Sequence, residues 1–356
     1  MNKRPHFLFF SKEEQILLTK RLALLLRSGV PIVTALSLMH DEARTRSAVH
    51  VLHYLRETVA SGRPLSTGLA EFRTVFGDLG VHLIEVGEAS GTLSEHLDRL
   101  SHSLKRERAL RRKVLGALLY PAIIVVATLA ITALLALYVF PKIIPVFKGF
   151  HTQLPLSTRM LIALSSFCTQ YGLLVLCGLA LIAIGASLVL RYPTVRLACD
   201  RAMLRTPLTG TLQREYAVAS LCRTLGTLIA SEVGVVRAVE LCALGTRNSA
   251  YKKAYKEMAE QIAEGQKVST AFSTDAVLFP RLLPQMLSVG ESTGALSDSL
   301  FYCADFYEEE LEELSKSVAV LVEPVLMIVM GLIVGFVALA IITPIYSITQ
   351  NLNAYH

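Results

Sequence analysis

Two stretches of the 356-residue chain carry the same short pattern, Gly87-Glu88-Ala89-Ser90-Gly91-Thr92-Leu93 and Gly290-Glu291-Ser292-Thr293-Gly294-Ala295-Leu296. Glycines four apart beside a carboxylate suggest phosphate cradling, but no Lys-Ser or Lys-Thr follows either stretch and no strand is expected before them, so that chemistry has little support. Helix packing accounts for the pattern better. Gly87 and Gly290 would let two helices approach closely, and Gly91 and Gly294 would end a helix with positive φ. Other chemistry-bearing residues are sparse. His50 and His53 lie three apart on an expected helix with no acid or cysteine at metal-ligand spacing, which reads as a surface pair rather than a metal site. The cysteines at 168, 177, 199, 222, 242 and 303 stand singly, without the spacing of a zinc site, a redox motif or a disulfide framework. No nucleophile with a base, Walker motif or dinucleotide fingerprint occurs, so neither enzymatic activity nor a cofactor is expected.

Charge is the more informative property. Residues 1–113 contain 18 Lys and Arg against 12 Asp and Glu, net +6, whereas residues 191–323 contain 14 against 17, net −3. The contrast peaks on two stems that lead into apolar sequence: Lys105, Arg106, Arg111, Arg112 and Lys113 in the first, Glu308, Glu309, Glu310, Glu312 and Glu313 in the second. Either both stems are solvated, the basic one being drawn to anionic lipid, or they pair across an interface within or between protomers. Glu323 is the one acid abutting an apolar block, and a lipid headgroup level suits it better than the interior.

The elements that must position these residues include membrane spans. Hydrophobic residues make up 53% of the chain, charged residues 18%, and the mean hydropathy is +0.49, which argues against a wholly soluble or a disordered protein. The excess lies in three blocks. Pro121 to Phe140 would rise about 30 Å as a helix, the thickness of the hydrocarbon core. Met160 to Leu190 is free of charge, and a third block runs from Pro324 to about Tyr346. Basic residues crowd before the first span and after the second, which places the N-terminus inside and, with three crossings, the C-terminus outside. Both large polar regions then face the cytoplasm, where lone cysteines stay reduced.

Sliding the sequence against itself explains this layout. Gly87, Glu88, Gly91, Leu93 and Leu97 superpose on Gly290, Glu291, Gly294, Leu296 and Leu300, each 203 residues later, and the same offset pairs Pro121 with Pro324 and Pro141 with Pro344. The unit is one cytoplasmic domain plus one span, used twice. Two copies entering the membrane from the same side need a span between them, and the block before Leu190 supplies it. Within each copy the pattern is helical. Ser11 with Glu14 and Thr92 with Glu95 have capping-box spacing, and Ile16, Leu17, Leu22, Leu25 and Leu26 form an apolar stripe. Breaks at Ser28-Gly29, Ser61-Gly62-Arg63-Pro64, Phe76-Gly77 and Ser90-Gly91 divide the first copy into five or six helices. The expected fold class is therefore all-α: a polytopic membrane protein with three transmembrane helices and two homologous cytoplasmic helical bundles. Its segments are a bundle at 1–113, a span at 114–140, an extracytoplasmic loop at 141–159, a span at 160–190, a bundle at 191–316, a span at 317–346 and an extracytoplasmic tail at 347–356. Gly331 and Gly335 in the third span suit helix packing, within the protomer or in a dimer.

Lys113, Ala117, Leu118, Tyr120, Pro121, Ile124, Thr128, Leu135, Val139, Phe140 and Pro141, together with the two Gly-Glu-x-Ser/Thr-Gly-x-Leu motifs, resemble the signature of a known family: the polytopic inner-membrane platform proteins of type IV pilus and type II secretion systems. The resemblance runs from about residue 11 onward. It implies a bacterial inner-membrane protein without chemistry of its own, engaging a hexameric assembly ATPase through its cytoplasmic domains and helping to move pilin or pseudopilin subunits from the bilayer into a filament. Other inner-membrane assembly proteins, membrane lipid and further copies of the chain are the remaining expected partners; nucleic acid is not. The second copy departs from the first at Ser231-Glu232-Val233-Gly234, against Ser28-Gly29-Val30-Pro31, and at Glu323-Pro324, against Tyr120-Pro121. A membrane adaptor without a filament is the rival reading, and a small-solute transporter a weaker one, since the spans contain no buried charge.

Overall fold

In the computed structural model of the chain, residues 10–134, 192–206 and 209–353 are described, with residue 138 and scattered positions from 159 to 188. The far end of the expected first span, the loop at 141–159 with Pro141 and most of the span at 160–190 lie outside the described residues. Among those described, the regular elements are α-helices: α1 Lys12–Arg27, α2 Ile32–Asp41, α3 Arg46–Ala60, α4 Leu65–Ala70, α5 Arg73–Ser90, α6 Leu93–Leu134, α7 Pro193–Leu204, α8 Thr209–Ala230, α9 Val235–Gly245, α10 Ser249–Ala263, α11 Val268–Phe272, α12 Leu282–Thr293 and α13 Leu296–Asn353.

The duplication is one of helix boundaries as well as residues. Helices α2, α3, α4 and α6 begin at 32, 46, 65 and 93; α9, α10, α11 and α13 begin at 235, 249, 268 and 296, each 203 later. Local chemistry sets these ends. Ser11 and Glu14 form a reciprocal capping box, Thr45 caps α3 through the Ala48 amide, and Asn248 caps α10 through the amides of Ala250 and Tyr251. Gly77 kinks α5 with φ +72°, and at its counterpart, Pro280, the helix starts afresh two residues on. The second expected box does not form: the Thr92 hydroxyl lies 2.6 Å from that of Ser90 and 3.1 Å from His96 Nδ1, while Glu95 accepts from Arg99 at 2.7 Å. Arg99, four residues along the same helix, competes for that carboxylate.

The chain divides into two compact units, Met1–Lys113 with Leu197–Glu312, and Val114–Arg196 with Glu313–His356. The first holds both bundles. The first lobe has an aliphatic core around Leu22, Leu36, Leu55, Leu83, Ile84 and Leu97, all fully buried. In the second lobe Tyr251, Tyr255, Phe272 and Phe279 are buried as an aromatic cluster, with Phe272 and Phe279 edge to face at 5.2 Å. Beside them burial pushes the Cys242 thiol up to about 12, which keeps it protonated. The stripe expected on α1 is corrected by its packing. The helix buries Gln15, Leu18, Thr19, Leu22 and Ala23, and leaves Leu17 and Leu24 exposed, because its apolar residues occupy two faces and one bundle covers only one of them. Within α13, Leu296–Phe336 is the one helix among the described residues long and apolar enough to cross a membrane; Ala122–Leu134 of α6 is apolar but shorter.

Glu232 stands where the first copy has Gly29, and it takes the same left-handed conformation, φ +62° against +80°. A side chain costs roughly 1 kcal/mol in that conformation. Glu232→Gly is therefore expected to stabilise the protein by about 0.5–1 kcal/mol after the entropy of the unfolded glycine is counted, and Gly29→Glu to destabilise it by a similar amount. Thermal melting of the two purified variants, followed by circular dichroism, checks the signs.

Candidate functional site

The repeated motif is a clamp joining three helices. At Gly87 α5 meets α6 so closely that an added Cβ would lie 2.9 Å from His96 Cβ and 3.1 Å from Leu93 Cα; at Gly290 it would lie 2.9 Å from Leu296 Cα and 2.7 Å from Ser299 Oγ. Gly91 and Gly294 then reverse the chain with φ +72° and +73°. The glutamate between them reaches a third helix. Glu88 accepts from the backbone amides of Leu65 and Ser66, the latter at 2.9 Å, and Glu291 from those of Val268 at 2.5 Å and Ser269 at 3.2 Å. Helices α4 and α11 follow Pro64 and Lys267, neither of which supplies a side-chain cap. The carboxylate supplies one from 22 and 23 residues away and meets the positive end of the helix dipole. No spacing rule predicts a cap so distant in sequence, and the role of Glu88 was hidden for that reason.

The second constellation joins the lobes. Packing of α5 against α9 and α8 brings the two together. Arg99 of α6 donates to the Ala230 carbonyl at the end of α8 and, at 3.3 Å, to Ser231 Oγ. The stems then pair charge to charge. Arg106 Nη1 lies 3.0 Å from Asp305 Oδ1, and seven residues further on both helices Lys113 Nζ lies 2.5 Å from Glu312 Oε2. Two turns taken in the same direction make this a parallel pairing. Arg223 of α8, nearly buried, grips the same acidic stem through Asp305 and through Glu308 at 2.9 Å, with its guanidinium 5.8 Å from the Phe301 ring centre. Burial pushes the Asp305 carboxyl up, but hydrogen bonds and charge from Arg223 and Arg106 outweigh it and hold the pKa below the usual carboxylate range. Such a group contributes stability above its unfolded pKa that is lost as pH falls through its folded one, so the contribution of Asp305 is fully present at neutral pH. Beside it lies a cleft of about 540 Å³ lined by Asp98, Arg99, His102, Arg223, Thr227 and Phe301 among others.

Residues 18–141 and 221–344 each match the family described as Type II secretion system (T2SS), protein F, and both ends of the second match lie 203 residues after those of the first. The chain belongs to the protein F family. It is 30% identical to a type IV pilus assembly protein PilC of Pseudomonas aeruginosa over 93% of this chain and 89% of that one. It is 31% identical to PilC of Thermus thermophilus over 94% and 82%, and 29% identical to a type II secretion system protein F of Xanthomonas campestris over 99% and 86%.

Not every residue singled out in the sequence of this family member joins the seam. Lys105, Arg111, Glu309, Glu310 and Glu313 are exposed, while Arg112 and Arg108 turn to Glu13 of α1, the former at 3.6 Å. Tyr120 and Pro324 are exposed and Glu323 half-buried; helix continues through Pro121, Pro324 and Pro344. No described atom outside the local helix lies within 4 Å of a Cβ built at Gly331 or Gly335. His50 faces Phe72 edge to face at 6.1 Å, and exposed His53 lies 3.3 Å from Arg56. Sequence reasoning missed Arg99, Arg223 and Asp305, since their opposition depends on how one lobe docks on the other.

Two outcomes follow from this geometry. Glu88→Ala removes a cap serving two amides and is expected to cost about 1–2 kcal/mol, read as a lower melting temperature, while Glu88→Gln should retain part of it. Lys113→Glu and Glu312→Lys should each loosen the lobes, by up to about 1 kcal/mol given their exposure, and the double reversal should restore them. Protease protection of the α8–α9 turn in the two single variants and the double variant reads this out; failure of the double to recover would remove the pair from the seam.

Proposed function

We propose that this protein is an inner-membrane platform of a type IV pilus or type II secretion machine. Its cytoplasmic lobes would engage a hexameric assembly ATPase, and its spans would guide pilin or pseudopilin subunits from the bilayer into the growing filament. The observation that carries this reading is the joining of both family-matching domains into one unit whose two stems run parallel. Parallel stems enter a bilayer from one side, which suits lobes at 1–113 and 191–316 in the cytoplasm, spans at 114–140, 160–190 and 317–346, an outer loop at 141–159 and an outer tail at 347–356. The N-terminus is then cytoplasmic and the C-terminus extracytoplasmic. Nothing in this reading asks the chain to turn over a substrate. A platform needs rigid handles for a motor and a path of low barrier for a subunit leaving lipid, and fused bundles on continuous helices provide the first of these.

Photo-crosslinkers at exposed positions of each lobe, such as Arg63 and Lys267, with the ATPase co-expressed, test the reading. Adducts with the ATPase whose yield changes with bound nucleotide are expected from at least one lobe. Absence of adducts from both lobes, with filament assembly intact after loss of residues 191–316, would leave a membrane adaptor as the better account.

A further inference from the structure

The contact between the lobes is heterologous: α5 and α6 of the first lobe dock on α8 and α9 of the second, so each lobe uses a different face. By the 203-residue equivalence, each lobe also carries the face that the other one uses. Those two faces are exposed, and each carries large apolar side chains.

On the first lobe, the counterparts of Thr227, which lines the cleft beside Arg99, and of Leu241, on the helix α9 that packs on α5, are Leu24 and Leu38. Thr227 and Leu241 are 7% and 4% exposed, whereas Leu24 and Leu38 are 63% and 50% exposed. Lys20, the counterpart of Arg223, and Ser28, the counterpart of Ser231, are exposed as well, although Arg223 and Ser231 are buried. On the second lobe, Tyr302, counterpart of Arg99, is 56% exposed, and Phe306, counterpart of Ser103, 36%. Val289 is exposed where its counterpart Val86 is half-buried.

Charge supports a match between these two faces. In the seam a basic residue of one stem, Arg106, meets Asp305, which Arg223 also holds together with Glu308. The equivalent positions are Glu309, His102 and Lys20, and Lys105 stands where Glu308 does: the stem residue changes from base to acid, and the two acids it would meet become His102 and Lys105, while Lys20 keeps the positive sign of Arg223. An acid on one free face would thus meet bases on the other.

We propose that a second copy of this chain docks its α12–α13 face, with Tyr302, Phe306 and Glu309, onto the α1–α2 face of the first, with Lys20, Leu24, Arg27 and Leu38, repeating between chains the contact that joins the lobes within one. A heterologous contact that repeats either closes a ring or runs on as a filament. Stems anchored in one bilayer keep all lobes at one level, which favours closure; this last step alone rests on the membrane reading above. The smallest such ring has two chains and four lobes in alternation.

The test uses two differently tagged full-length chains co-expressed in membranes, one of them carrying benzoylphenylalanine in place of Tyr302. Adducts between the tags should map to residues 17–28 of the other chain. Separately, Lys20→Glu and Glu309→Lys should each weaken self-association of the detergent-solubilised protein by about fivefold, as befits one exposed charge pair, and their combination in one chain should restore it. All these side chains are exposed, and unchanged melting of the variants confirms that the lobes are intact. Adducts mapping to α13 of the other chain, an absence of adducts between tags, or a monomeric mass would each overturn the proposal.

Discussion

Packing of α5 against α8 and α9 joins the two lobes, and one guanidinium closes the end of that seam. Arg99 donates to the carbonyl of Ala230, the last residue of α8, where a helix leaves its terminal carbonyls without intrahelical partners and presents the negative end of its dipole. This contact carries more weight than the ion pairs below it. An exposed pair such as Arg106 with Asp305 contributes little, because both side chains lose freedom and solvent screens the charge. A charged donor on a half-buried backbone acceptor also fixes position, since that carbonyl cannot move without unwinding its helix. With the end of α8 held, the stems are in register and the two pairs seven residues apart can form.

The copies share a backbone and differ in what fills and faces it. Lys12 pairs with Glu107 at 3.4 Å in the first lobe, while the second has Glu215 and Glu310 at those positions. Burial raises the Glu215 carboxyl against the opposing charge and hydrogen bond of Arg214, and Glu310 adds to the rise. The aromatic cluster of the second lobe likewise stands where the first has Ala48, Leu52 and Leu69 with Phe76. Such changes leave the starts of α2, α3, α4 and α6 matched by those of α9, α10, α11 and α13, because those are set by caps and turns and not by core volume. Lobes with similar backbones and unequal surfaces make the contact in one sense within the chain, which is what makes the seam heterologous.

Much of this was legible in the sequence, for local reasons. Glycines at 29, 62, 77 and 91 each take positive φ where a break was read, and the Ser11–Glu14 box forms, because turn and cap chemistry acts over a few residues. The repeat was legible because it is ungapped. The readings that missed concern competition and distance. Thr92 and Glu95 had the spacing of a box, yet each found a nearer or stronger partner in Ser90, His96 or Arg99. The stripe on α1 mixed two faces because periodicity cannot tell a helix side buried in its own bundle from one that stays exposed. The basic and acidic stems were visible as an opposition, but the register, Arg106 with Asp305 and not with Glu308, depends on how one lobe docks on the other and is not written in the stems themselves.

Continuity of the long helices links the seam to the apolar segments. Helix α6 runs unbroken from the motif at Leu93 to Leu134, and α13 from Leu296 to Asn353, so each clamp of Gly87, Glu88 and Gly91, or Gly290, Glu291 and Gly294, sits at the root of a rod that reaches the apolar sequence. A straight helix transmits displacement with little loss. Each rod nevertheless contains one proline at the equivalent place, Pro121 and Pro324, where an amide is missing from the hydrogen-bond ladder and bending is cheapest. Neighbouring helices satisfy the backbone groups released at such a point in a bilayer. Bending at such a point would leave the clamps themselves intact, and the tight approach at Gly87 and Gly290 resists loosening inside each lobe.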